Sequence, residues 1–130
     1  MAYTDFKDLL VFQKAFKLSM DIFEISKKFP KEEIYSLTDQ IRRSSRAVCS
    51  CIGESYRKRL YPAHFVSKLS DADMENGETQ VWLLFAVSCN YISVEVHHKL
   101  LEQSHEVGKL LAFMMRNPEK FTIQKPVYSS

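Results

Sequence analysis

A chain of 130 residues fits one domain and is long enough to close a hydrophobic core without disulfide or metal staples. With 45% hydrophobic residues but only 3 Gly and 4 Pro, the composition argues against disorder and against a turn-rich all-β fold. A formal charge of +2 is too small to announce a nucleic-acid binder, so the placement of charge matters more than its total.

That placement is uneven. Residues 40–68 carry seven bases (Arg42, Arg43, Arg46, Arg57, Lys58, Arg59 and Lys68) against one acid, Glu54. Residues 69–80 follow with Asp71, Asp73, Glu75 and Glu78 and no base. Three Cys in an odd, unframed arrangement suit a reducing cytoplasm. No charged segment leads into an apolar run at the N-terminus, so no signal peptide is expected. The longest apolar run, "VWLLFAV", is far short of the ~20 residues that span a bilayer.

At about 100° per residue the chain reads as four helices. The first is expected over residues 5–28. Phe12, Phe16, Met20 and Phe23 form one stripe, and Val11, Ala15, Leu18, Ile22 and Ile25 form another beside it. An apolar arc this wide asks for a second buried contact, from a wide core or another subunit. Pro30 breaks the chain, and Glu32 and Glu33 suit the approach to the next N-terminus.

The second helix is expected over 36–59. Leu37, Ile41, Val48, Ile52 and Tyr56 define its inner stripe, with Ser44, Ser45 and Ser55 inside it. Arg42, Arg43, Arg46 and Arg57 lie opposite, with Ser50 and Gly53 between them. Pro62 fits the first turn of the third helix, expected over 62–91. There Phe65, Leu69, Ala72, Thr79, Leu83 and Val87 share a face with Asn76 and Gln80. A buried polar layer needs partners, and Gln40 and Ser44 are the candidates. From Val81 to Val87 this helix is apolar all round, including Trp82, Leu84 and Phe85, so either the fourth helix and the tail or another copy must cover it.

The fourth helix is expected over 94–117. Ser93 is its N-cap, Glu95 lies in its first turn, and Pro118 ends it. Residues 1–118 thus form one bundle, with an extended C-terminal tail over 119–130. Short links make neighbouring helices antiparallel, giving an all-α, up-down-up-down four-helix bundle.

Little in the chain carries chemistry. Cys49 and Cys51 point about 200° apart on a helix and cannot chelate one ion together. His98 and His105 lie roughly 10 Å apart, too far to share a metal without a third ligand. No metalloprotease, di-iron, P-loop or dinucleotide motif occurs, so no metal, no cofactor and no catalytic residue is expected. The basic face is the informative feature. Arginine forks fit phosphate oxygens, which makes Arg42, Arg43, Arg46, Arg57, Lys58 and Arg59 candidate nucleic-acid contacts. Equally, these arginines can pair with the acids around Asp71 to Glu78 on the next helix or subunit.

The segments "FKDLLVFQKA", "FPKEEIYSLTDQIRRSS", "ESYRKR", "HFVSKL", "ETQVWLLFA" and "NYIS" stand in an order and spacing that resembles a known family. It is the family of small four-helix-bundle proteins first noticed as reading frames within intervening sequences of bacterial 23S rRNA. The resemblance covers roughly residues 3–118. It implies a bundle that assembles into a homopentamer. It also implies kinship with the accessory variability determinant of diversity-generating retroelements, a basic pentamer that binds nucleic acid and the reverse transcriptase. Gln40, Arg42 and Arg43 match the family's QIRR segment. The chain departs from the pattern at "CIGES", where Cys51 and Gly53 replace Asn and Ala, and it lacks the Trp usual near Phe12.

Two functions from different classes follow as expectations. One is a non-enzymatic, cytoplasmic homo-oligomer whose basic helix binds RNA or DNA, or a nucleic-acid enzyme. The other is a structural or protein-interaction scaffold without nucleic-acid activity. In both, Val81, Trp82, Leu84 and Phe85 are the candidate oligomer interface, and no membrane is involved.

Overall fold

The computed structural model describes residues 4–123. Among these residues there are four α-helices and three short 3-10 turns, and no strand. The helices are α1 (Leu10–Ser26), α2 (Leu37–Arg57), α3 (Pro62–Ser88) and α4 (Val94–Arg116). Each packs on its neighbour in sequence, and α4 closes on α1. Pairings across each seam run in opposite directions. Ser44 meets Thr79 while Glu54 meets Lys68 across α2 and α3. Leu18 and Ile22 of α1 cluster with Leu100 of α4, whereas Val11 and Ala15 cluster with Leu111 and Met114. Neighbours are therefore antiparallel, as the short links require.

The helix ends follow local hydrogen-bond chemistry. Periodicity alone starts the first helix at residue 5, but α1 begins only at Leu10. Asp5 accepts from the Phe6 amide and Asp8 accepts from the Asp5 amide, closing a separate 3-10 turn, Phe6–Asp8. Short carboxylates at both positions compete for the amides that a continuous helix would use. Before α2, Glu33 Oε1 accepts from the Leu37 amide and from the Ser36 hydroxyl. α3 stops at Ser88, three residues earlier than its periodicity suggests. Asn90 takes a left-handed φ of 61°, and the Tyr91 amide donates to the Ala86 carbonyl. That is a helix-ending device suited to Asn. Ser93 then caps α4 by accepting from the Val96 amide at 3.1 Å.

The core has two apolar compartments. One holds Val11, Ile52, Phe65, Leu69, Val107 and Leu111, and the other holds Leu18, Ile22, Ile41, Leu83 and Leu100. Complete burial stabilises each such side chain by about 1.5–3 kcal/mol before entropy is charged against it. Between the compartments lies a buried polar layer. Its partners differ from the expected Gln40 and Ser44. Asn76 Nδ2 donates to the Ser104 carbonyl, Ser104 Oγ donates to Asn76 Oδ1, and Gln80 Nε2 donates to Ser104 Oγ, each at 2.9 Å. Ser44 instead bonds Thr79 at 2.9 Å. Either hydroxyl can donate in that pair, since each also has a carbonyl of its own helix to donate to, Ile41 for Ser44 and Glu75 for Thr79. Asn76 and Gln80 lie on the α4 side of α3, out of reach of α2.

The segment after α4 is turned rather than extended where the structure describes it. Pro118–Lys120 forms a 3-10 turn. Phe121 stacks on Phe65 and meets Phe113 edge-on. The Ile123 amide donates to the Arg59 carbonyl at 3.0 Å. The remainder of the expected tail, 124–130, lies outside the described residues. Among the described residues, no helix is long and apolar enough to cross a membrane.

Candidate nucleic-acid interface

The basic residues of α2 do not act as one patch. Their positions around the helix decide which neighbour each meets. Arg43 turns towards α3, where Nη2 reaches Glu78 Oε1 at 2.6 Å and Nη1 reaches Glu75 Oε2 at 3.4 Å. Trp82 Nε1 donates to the same Glu78 oxygen at 3.2 Å. Burial lifts the Glu75 carboxyl above its ordinary range. Burial also opposes ionisation of Glu78, yet hydrogen bonds with Glu75, Arg43 and Trp82 hold its carboxyl below that range. Arg43 is thus committed to carboxylates, which was one of its two expected roles.

Arg42 and Arg46 turn the other way, towards α1. Arg42 Nε donates to Ser26 Oγ at 2.7 Å, and the Ser26 hydroxyl in turn donates to the Phe23 carbonyl at 2.8 Å. The Arg42 guanidinium lies 4.8 Å from the centre of the Phe23 ring and that of Arg46 5.6 Å, with Lys27 Nζ at 4.8 Å. One phenyl ring therefore gathers three cations. The ring's negative face attracts them, and the contact fixes long side chains that would otherwise wander. Among the described residues neither Arg42 nor Arg46 has a carboxylate partner within 4.0 Å. Both line an open depression of about 570 Å³ with Ile34, Thr38, Asp39, Arg43, Ala47 and Ser50.

At the other end of α2, Arg57 and Lys58 are exposed. Arg59 folds back. Its guanidinium lies 3.6 Å from the Tyr56 ring centre, and Nε donates to the Tyr56 carbonyl at 2.9 Å. Lys68 is held by Glu54 at 2.7 Å. The structure thus brings Arg42 and Arg46 together on Phe23, pairs the neighbouring Arg43 with carboxylates of α3 although it borders the same depression, and leaves Arg57 and Lys58 a few turns away. Phe23, Ser26 and Lys27, which complete the Arg42–Arg46 cluster, were missed in the sequence. Phe23 stood in an apolar stripe and gave no sign that its face is covered by cations.

The candidate oligomer residues also divide. Leu84 is 56% and Phe85 53% exposed, and Val81 is exposed as well. Trp82 is half-buried and tied to Glu78. Neither α4 nor the turn after it covers this face, because Phe121 packs at the opposite end of α3. Tyr35, Trp82, Phe85 and Cys89 border an open apolar hollow of about 380 Å³ beside it. Cys49 and Cys51 are both half-buried, and burial pushes the Cys49 thiol up to about 11. Among the described residues no three His, Cys, Asp or Glu side chains converge as metal ligands.

Comparison with known proteins fits this architecture. The crystal structure of a protein of unknown function from the S23 ribosomal protein family of Bacteroides thetaiotaomicron superposes with a TM-score of 0.75 at 26% identity. The match covers 82% of this chain and 99% of that one. No curated protein matches the chain. Residues 7–113, most of the chain and all four helices up to the last turn of α4, match the 23S rRNA-intervening sequence proteins, and the chain belongs to that family.

Proposed function

We propose that the chain is a non-enzymatic homo-oligomer that binds nucleic acid through the basic face of α2. One observation carries the reading: Phe23 positions Arg42 and Arg46, Ser26 also holds Arg42, and neither guanidinium has a carboxylate within 4.0 Å among the described residues. The exposed Arg46 and half-buried Arg42 offer guanidinium donors that suit phosphate oxygens, and Arg57 and Lys58 extend the positive field towards the end of α2. Arg43 and Arg59, included in the sequence-based set, have other work and drop out of the proposed contact set. Self-association through Val81, Leu84 and Phe85 completes the reading, with five copies as the number implied by the family resemblance. A ring of copies would repeat the arginine pair around its circumference and raise the effective affinity for a long polyanion.

Binding of structured RNA across a salt series tests this. Affinity should fall with salt. The triple variant Arg42→Gln, Arg46→Gln, Arg57→Gln should reduce the logarithmic slope by about 2, at roughly 0.7–0.9 per lost phosphate contact. No binding at low salt, or a slope untouched by the triple change, overturns the reading.

The exposed α3 face supports a second reading, a protein scaffold, independently of the arginines. Partners captured from native extract that survive nuclease, with Leu84→Glu and Phe85→Glu abolishing capture, would favour it.

A further inference from the structure

We infer that the nucleic acid recognised is single-stranded, with unpaired bases stacking on the exposed aromatic ridge of α1 while Arg42 and Arg46 take the phosphates. This deepens the proposed function and rests on it.

The ridge consists of Phe12, Phe16, Met20 and Phe23, spaced so that all four share one side of α1 over about 16 Å. Its two ends are occupied. Phe23 is covered by Arg42, Arg46 and Lys27. Phe12 is part-buried against the core and meets Phe6 edge-on at 4.9 Å. The middle is open. Phe16 stacks on Phe12 with centroids 6.0 Å apart and planes 22° apart, yet it remains 52% exposed, and Met20 is exposed beside it. Bundle packing has no use for this surface, since α1 already buries Val11, Ala15, Leu18 and Ile22.

What lies alongside sets the chemistry of the occupant. In the antiparallel α1–α2 pair, the middle of α1 runs beside the stretch of α2 that follows Arg46. Its outward positions there, Ser50 and Gly53, are small and uncharged, and a side chain at Gly53 would meet nothing. The result is a smooth strip with a flat ring on one edge and cations at its end. Lys27 is already held by Glu24 at 3.3 Å, but an apolar protein partner would have to desolvate Arg42 and Arg46 without pairing them. A duplex presents only phosphates and groove edges to a surface of this size and leaves the ring unused. A single strand satisfies both edges at once, because every unpaired base has a π-face and every linkage has a charge.

The experiment measures the intact protein by fluorescence anisotropy at low salt. Its probes are labelled single strands of about 20 nucleotides, as RNA and as DNA, and the matching duplexes. Single strands should bind more tightly than duplexes. Phe16→Ala should weaken single-strand binding roughly tenfold and leave the salt slope unchanged. Phe16→Leu, which keeps apolar volume but removes the flat ring, should behave like Phe16→Ala, and Phe16→Trp should retain affinity. The RNA and DNA arms show whether the ribose is read. Duplex binding as tight as single-strand binding, or wild-type affinity in Phe16→Leu, overturns the stacking inference and leaves the proposed function standing. Absence of binding to every probe overturns both.

Discussion

Arg43 Nη2 and Glu78 Oε1 meet at 2.6 Å across the α2–α3 seam, while Glu75 stands 3.4 Å from the other arm of the same guanidinium. Two carboxylates share one cation, and they do not share it equally. Glu78 has its carboxyl held below the ordinary range and Glu75 above it. At neutral pH, Glu75→Gln should therefore raise the melting temperature and Glu78→Gln should lower it. The pH dependence carries opposite signs. Glu78 contributes stability above its unfolded-state pKa and loses it as pH falls through its lower folded value. Glu75 costs stability as pH rises through its own window and relieves that cost in acid. Arg43→Ala, which leaves both acids facing each other, should cost about 1 kcal/mol, since the guanidinium is half exposed. Thermal melts of the three variants at several pH values check the set.

Ser104 is the keystone of the buried polar layer, with its hydroxyl donating to Asn76 and accepting from Gln80. Ser104→Ala leaves the buried Asn76 side-chain carbonyl and the half-buried Gln80 amide each short of a partner. It should destabilise the protein by about 2–3 kcal/mol in urea unfolding. Ser50→Ala, on the exposed face of the same fold, should fall within about 0.5 kcal/mol of wild type.

Tyr91 donates its hydroxyl to Glu33 at 2.8 Å, tying the α3–α4 link to the turn that caps α2. That bond, with burial behind it, pushes the phenol up to about 12. Hydrogen bonds from Ser36 and Tyr91 hold the Glu33 carboxyl below its usual range. For Tyr91 the folded pKa is the higher one, so its contribution is complete below the unfolded value near 10 and is lost as pH rises towards 12. For Glu33 the contribution is present above the unfolded carboxylate value and is lost as pH falls through the folded one. Tyr91→Phe should lower the melting temperature at neutral pH and flatten the alkaline decline. Melting curves across the alkaline range show whether it does.

The three thiols should react in a fixed order. Cys89 is exposed, whereas Cys49 is half-buried with its thiol pushed up to about 11. A neutral-pH titration with a disulfide reagent should modify Cys89 first and Cys49 last, because the thiolate is the reacting species. Cys51, raised by burial and by nearby Glu54, falls between them.

Much of this was legible in the sequence. Leu37, Ile41, Val48, Ile52 and Tyr56 are all buried, as their spacing demands, and Pro62 and Ser93 open helices where they were expected to. What a single helical wheel cannot give is the side on which each neighbour lies. Arg42 and Arg43 differ by one position, or about 100°, and that step sends one to a phenyl ring and the other to two carboxylates. The same blindness assigned Asn76 and Gln80 to α2 when Ser104 of α4 was their partner. The turn at Phe6–Asp8 escaped for a different reason: two aspartates capture amides locally, a choice that hydrophobic periodicity does not record.

The layer of Ser44, Thr79, Asn76, Gln80 and Ser104 has a mechanical consequence. Apolar packing alone names no unique partner for a helix face, but here a slide would break the interhelical bonds of Ser44 with Thr79 and of Asn76 and Gln80 with Ser104 at once. The bundle is bolted at its waist. Its arginine pair and its apolar α3 face therefore keep a constant offset within the fold.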